Sequence, residues 1–128
     1  MAYEILFMGT PEFSVPILKS LNSKHKVLSV FTQPPKKKSR GQKILKSPIH
    51  LEAEKLKLPV RFPDSLNNDL EYKFVKESNV KFVIVVAYGK IIPEKFLDIK
   101  DITFLNIHAS LLPRWRGAAP IQRSIIEM

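Results

Sequence analysis

Asn106 and His108 lie two residues apart in the segment Phe104-Leu105-Asn106-Ile107-His108, which runs on into Ala109-Ser110-Leu111-Leu112-Pro113-Arg114-Trp115-Arg116-Gly117. In an extended strand, successive side chains alternate between faces. Phe104, Asn106 and His108 then share one face, and Leu105 and Ile107 share the other. The carboxamide and the imidazole would sit about 7 Å apart along the strand at roughly 3.3 Å per residue. At the carboxyl end of a strand, where α/β sheets open onto ligand clefts, such a pair is equipment for acyl transfer. The amide can donate to a developing oxyanion, and the imidazole can carry a proton near neutral pH. Each residue alone also has a structural use. Asn106 could cap a loop or cross-link strands, and His108 could be a hydrogen-bonded packing residue. His25 and His50 are read in that second way, near the surface.

The elements that must position this pair alternate between strand and helix. Tyr3–Met8 is a short apolar run ending at Gly9 and reads as a buried strand. A helix starting within Thr10–Pro16 would have a hydroxyl cap and a proline in its first turn, with Ile17, Leu18 and Leu21 as its apolar stripe. Lys26–Thr32 is a second strand. Ser47–Leu58 reads as a helix with Pro48 at its start, and Val60–Pro63 as a short extended piece. Leu66–Ser78 carries Leu66, Leu70, Phe74 and Val75 at helical spacing. Lys81–Ala87 is continuous and β-branched, as expected of a central parallel strand covered on both faces. Ile102–His108 is a further strand, and Gly117–Met128 begins a helix, with Gly117-Ala118-Ala119-Pro120 as its tight entry. The alternation predicts an α/β fold with a mainly parallel sheet flanked by helices.

The chain has 128 residues, enough for one modest core. With no cysteine, thiolate chemistry, thiolate metal sites and disulfides are excluded. No His/Asp/Glu cluster has metal-ligand spacing, so no metal is expected. The start Met1-Ala2-Tyr3-Glu4 lacks the basic region of a signal peptide, and the apolar runs are strand-sized, so a cytoplasmic protein with no membrane contact is expected. Twenty-one Lys and Arg against twelve Asp and Glu give a net charge of +9, which favours a polyanionic partner. Between Gln33 and Leu51, Lys36, Lys37, Lys38, Arg40, Lys43 and Lys46 stand with no acid, and with its prolines and Gly41 the stretch reads as a loop rather than an element. Such a run could contact phosphates or be a solvated surface. Arg114, Trp115 and Arg116 interleave cations with an aromatic ring, a combination that can bind phosphates and stack bases.

Two turns remain. Gly9-Thr10-Pro11 lacks the glycine pattern of a dinucleotide loop, Pro11 removes an amide donor and Glu12 adds negative charge, so it reads as a structural turn. Val86-Ala87-Tyr88-Gly89-Lys90-Ile91-Ile92 leaves a strand at its carboxyl end. Its glycine would let a flat ligand approach the backbone, though an ordinary strand-to-helix turn has the same composition.

Taken together, Phe7-Met8-Gly9-Thr10-Pro11-Glu12-Phe13, Phe31-Thr32-Gln33-Pro34, Ser47-Pro48, Val85 to Pro93 and Asn106 to Ile121 resemble, in order, the methionyl-tRNA formyltransferases. The Asn-x-His-x-Ser-Leu-Leu-Pro core marks the wider folate-dependent formyltransferase group. The resemblance implies a Rossmann-like formyltransferase fold, incomplete at the C-terminus. It also implies formyl transfer from 10-formyltetrahydrofolate to the amino group of methionyl-initiator tRNA, in translation initiation, by a monomer. Asn106 and His108 match two of three catalytic positions. Tyr88, Gly89, Lys90, Ile91 and Ile92 match the loop lining the pterin pocket, and Ser110, Leu111, Leu112 and Pro113 match a folate-contacting segment. The basic stretch matches a tRNA-contacting insertion, with Lys36, Lys37, Lys38, Lys43 and above all Arg40 toward the acceptor end, joined by Arg114 and Arg116. Residues 1–128 would be the N-terminal catalytic domain, with the third catalytic group, an aspartate, and a C-terminal tRNA-binding domain lying beyond Met128. Three rival readings are a formyltransferase acting on a small phosphorylated amine of the phosphoribosylglycinamide type, a non-catalytic folate- or RNA-binding fragment, and a nicotinamide-dependent dehydrogenase. The basic stretch opposes the first, and Pro11 and Glu12 oppose the last.

Overall fold

The computed structural model describes residues 1–37 and 43–108. Seven strands and four helices follow one another: β1 (Glu4–Gly9), α1 (Val15–Lys24), β2 (Lys26–Phe31), β3 (Lys36–Lys37), β4 (Ile44–Leu45), α2 (Pro48–Lys55), β5 (Val60–Arg61), α3 (Asp69–Glu77), β6 (Phe82–Val86), α4 (Glu94–Leu97) and β7 (Thr103–Asn106). A short 3-10 turn over Glu12–Ser14 leads into α1. Five strands form one sheet in the order β5-β2-β1-β6-β7, and every pairing is parallel. The order reverses direction at β1, so the topological switch point lies between β1 and β6.

Alternation on the strands builds two cores. Ile5 and Phe7 of β1 face the side that carries Val15 and Leu18 of α1 and Ile49 and Ala53 of α2. Leu6 and Met8 face the other side, with Val75 of α3 and Phe96 and Leu97 of α4. Helices therefore cover both faces, and the interior strands are apolar, β1 from Ile5 onward and β6 throughout.

Local chemistry sets the helix ends. Ser47 caps α2 by accepting from the His50 amide at 3.0 Å, with Pro48 in the first turn. The same helix closes with Leu58 N–H donating to Ala53 O (2.8 Å) and Lys57 N–H to Glu54 O (3.0 Å), a Schellman closure whose left-handed residue is Lys57 at φ 61. Asn68 caps α3 through Leu70 N and Glu71 N.

Four expectations are corrected. Ser14 sits at the α1 N-cap position, but its hydroxyl donates back to Pro11 O at 2.6 Å and so caps no amide. Leu70 is exposed, because α3 turns Glu71, paired with Arg61, and Val75 inward instead. The basic stretch is not all loop: Lys36–Lys37 and Ile44–Leu45 pair antiparallel as a two-stranded ribbon outside the main sheet. Finally, β7 ends at Asn106, two residues before His108. The helix expected over Gly117–Met128 lies outside the described residues.

Candidate functional site

Because the sheet is parallel, the carboxyl ends of β1, β2, β6 and β7 open on one edge. They deliver Gly9-Thr10, Thr32-Gln33, Ala87-Tyr88-Gly89 and Asn106-Ile107-His108 to it. The β1–β6 approach leaves no room at Gly9, where a Cβ would meet the Phe7 ring at 2.8 Å and the Val86 carbonyl at 2.9 Å.

Asn106 pairs in register with Val85, and Ile107 N–H continues the ladder to Val85 O at 2.8 Å. Phe104 belongs to one core, while Leu105 and Ile107 pack against the other. The predicted alternation therefore holds along β7, and Asn106 is on the Phe104 face. Its side chain is half-buried, and its carboxamide makes no hydrogen bond among the described residues. His108 is exposed, just beyond the strand.

The turn after β6 is built from two left-handed residues, Ala87 at φ 52 and Gly89 at φ 84. That conformation costs a non-glycine residue roughly 1–2 kcal/mol, so something must hold Ala87 there. The carbonyl of Tyr88 accepts hydrogen bonds from Thr10 Oγ1 (2.8 Å) and Gln33 Nε2 (3.1 Å). Thr10 continues through Thr32 Oγ1 (3.5 Å) to Ser47 Oγ (2.7 Å from Thr32), and so to the start of α2. Thr10 and Gln33 were not singled out as site residues by sequence. Their signal is positional: each is a polar residue one or two places past the carboxyl end of a strand.

Within the expected pterin loop the side chains divide. Tyr88 and Ile92 are core residues, 2% and 5% exposed. The Tyr88 ring packs in the core, and its main-chain carbonyl orders the turn. Its hydroxyl is buried with no hydrogen-bond partner among the described residues, and burial, then the Glu71 charge, push its pKa up. Gly89 is open and Ile91 is 86% exposed, while Lys90 Nζ reaches the Asp64 carbonyl at 2.7 Å. These residues and Ser65 and Leu66 bound a slot of about 280 Å³. A bare main chain at Gly89 beside the apolar side chain of Ile91 suits the face and edge of a flat heteroaromatic ring, so the residues present fit a folate ring.

A second cleft, about 190 Å³, is lined by Thr10, Gln33 and Ser47, by Lys36 and Leu45 of the ribbon, and by Lys46 just after it. Lys36, Lys37 and Lys43 are exposed. Lys46 donates to Glu54 Oε2 at 2.7 Å, and this bond holds the Glu54 carboxyl below its ordinary pKa. His50, expected near the surface, is instead buried against Phe62, with ring centroids 5.2 Å apart. Its Nε2 lies 3.5 Å from Glu54 Oε2, and its Nδ1 has no hydrogen-bond partner among the described residues. Burial lowers its pKa against the opposing pull of Glu54, and Lys46 lowers it further. His25 accepts from Tyr3 N–H at 3.0 Å and is half-buried, a packing role as expected. Lys38, Arg40, Ser110, Leu111, Leu112, Pro113, Arg114 and Arg116 lie outside the described residues.

Comparison with known proteins matches this architecture. The sequence model of the formyl transferase family fits residues 3–127. The chain is 56% identical over 130 residues to the methionyl-tRNA formyltransferase of Pelagibacter ubique strain HTCC1062, covering 100% of this chain and 42% of that protein. It is 52% identical to the protein of that name from Rickettsia bellii, covering 97% and 41%, and 48% identical to that from Paracoccus denitrificans, covering 95% and 41%. The chain thus spans about two fifths of the length of these curated relatives. Among solved structures, phosphoribosylglycinamide formyltransferase from Anaplasma phagocytophilum superposes with a TM-score of 0.61 at 21% identity, over 91% of this chain and 54% of that one. The likeness at that identity is one of fold, a Rossmann-like parallel sheet with helices on both faces. With the family model matching residues 3–127, the chain belongs to the formyl transferase family.

Proposed function

We propose that the protein transfers the formyl group of 10-formyltetrahydrofolate to the amino group of methionyl-initiator tRNA, in the cytoplasm and as a monomer, with residues 1–128 forming its catalytic domain. The observation that carries the reading is the similarity to proteins of that name, which runs through every segment that builds the carboxyl edge of the sheet. Asn106 supports the chemistry, since a carboxamide at the sheet's carboxyl edge that makes no hydrogen bond among the described residues is a ready donor. No helix among the described residues is long and apolar enough to cross a membrane.

The folate supplies an activated formyl carbon. Gly89, Lys90 and Ile91 would hold its ring. Transfer exchanges one carbon–nitrogen bond for another: the attacking amine gives up a proton and the departing nitrogen takes one. Asn106 donates an amide N–H to the formyl oxygen as it gains negative charge. His108, as imidazolium, gives a second hydrogen bond or delivers the proton to the departing nitrogen. Holding amine and carbonyl together provides much of the acceleration. Lys36, Lys37 and Lys43, with Lys38, Arg40, Arg114 and Arg116, neutralise tRNA phosphates, and Ser110 to Pro113 complete the folate contacts.

The test compares methionyl-tRNA with a small phosphorylated amine as formyl acceptors of the full-length protein. Turnover of the tRNA alone is expected, and preference for the small amine refutes the assignment. In the same assay Asn106→Ala is expected to lower kcat about 10²-fold with folate affinity little changed. A wild-type kcat in that variant removes Asn106 from the mechanism.

A further inference from the structure

Three strand ends converge on one acceptor, the main-chain carbonyl of Tyr88. Thr10 reaches it from the end of β1 and Gln33 from the end of β2, at 2.8 and 3.1 Å. The acceptor sits between the two left-handed residues of the turn, Ala87 and Gly89. A backbone in such a conformation persists only where its surroundings over-determine it. Gln33 presses on the turn a second time, for a Cβ on Gly89 would collide with its Nε2. Neither Thr10 nor Gln33 borders the slot between residues 64–66 and 89–91, yet both fix one of its walls. Gln33 also directly precedes Pro34-Pro35 and the basic ribbon, so the bond joins the root of that ribbon to the slot.

We propose that Thr10 and Gln33 are positioning residues that set the Ala87–Gly89 turn through the Tyr88 carbonyl, and thereby hold the ring-binding slot open in its binding geometry. The inference deepens the proposed function and rests on the assignment of Gly89–Ile91 to the formyl donor. Two donors approaching from different strands fix the carbonyl in direction as well as distance. With one removed, the peptide can swing about the other, and the slot wall swings with it.

The experiment uses the full-length protein with Thr10→Val, which removes the hydroxyl at nearly constant shape, and Gln33→Leu, which removes the amide at similar length. Affinity for tetrahydrofolate is read by calorimetry, kcat and KM for the donor by formylation, and thermal stability alongside. Each variant is expected to raise the tetrahydrofolate Kd and the donor KM about three- to tenfold, the worth of one neutral hydrogen bond, with kcat at saturation within about twofold. Thr10→Ser, which keeps the donor, is expected to restore wild-type affinity. The double variant is expected to exceed the product of the singles, since each bond partly covers for the other. Should Gln33→Leu fail to fold, Gln33→Asn, too short to reach the carbonyl, gives the same readout. Falling stability with unmoved Kd and KM overturns the inference alone. Wild-type protein that binds no tetrahydrofolate overturns the donor assignment and this inference with it.

Discussion

Removing the carboxylate of Glu71 tests how α3 is fastened to the edge of the sheet. Arg61, on β5, donates from Nε to Glu71 Oε1 at 2.7 Å. The Glu71 side chain is 9% exposed and that of Arg61 27%. The guanidinium also lies 3.9 Å above the Phe74 ring centroid and 6.0 Å from that of Phe31. Breaking a fully buried pair costs about 3–5 kcal/mol, and an exposed one at most about 1 kcal/mol. Here Glu71 is buried while about a quarter of Arg61 still meets water, so Glu71→Ala is expected to cost about 2–3 kcal/mol. The stacking on Phe74, worth about 0.5–1 kcal/mol, survives in that variant. Urea denaturation followed by circular dichroism measures the loss as a lower midpoint at unchanged slope. The paired replacement Arg61→Met with Glu71→Leu is expected to recover to within about 1 kcal/mol of wild type, because it leaves no buried charge unpaired. A Glu71→Ala cost below about 0.5 kcal/mol, or a double variant no better than the single, would refute the reasoning.

Lys57→Gly is expected to stabilise the protein by about 1 kcal/mol, because the Schellman closure of α2 requires a left-handed residue and lysine carries a Cβ there; a lowered melting temperature would contradict it. His50 gives a pH dependence. Its folded-state pKa is held below the ordinary 6.5, chiefly by burial. As pH falls, the unfolded chain therefore takes up this proton first. Its contribution to stability is complete above about pH 6.5 and is lost as pH drops from there toward the folded-state pKa. His50→Leu, which also removes a buried Nδ1 that has no hydrogen-bond partner among the described residues, is expected to flatten the fall in melting temperature over that interval, and an unchanged slope would exclude His50 as its source.

Much of this molecule can be read without coordinates, and the failures have physical causes. β1, β2, β6 and β7 announce themselves as apolar runs, and the polar Asn106 between Leu105 and Ile107 fixes its own face through strand alternation. Ser47-Pro48 gives away the start of α2 because capping is local chemistry. The ribbon is illegible because Lys36-Lys37 has no strand propensity and its pairing with Ile44-Leu45 is a tertiary event. Four residues of α4 are too few to show a period. Leu70 fits the helical spacing, but an ion pair turns Glu71 inward instead. That the Tyr88 ring fills the core is a matter of tertiary packing, which the local pattern around Gly89 does not encode. Thr10 and Gln33 escape notice because their common partner is a main-chain oxygen, which no side-chain pattern can encode.

The strand order carries a consequence for synthesis of the chain. β1 meets β2 soon after both leave the ribosome, yet its other edge waits for β6, about 50 residues later. At translation rates of 5–20 residues per second that interval is roughly 3–10 s. Throughout it, the nascent polypeptide presents the bare edge of its most apolar strand, a template for pairing with another chain. Emergence of residues 82–86 covers that edge and hands the exposure on to the outer edge of β6, which waits in turn for β7.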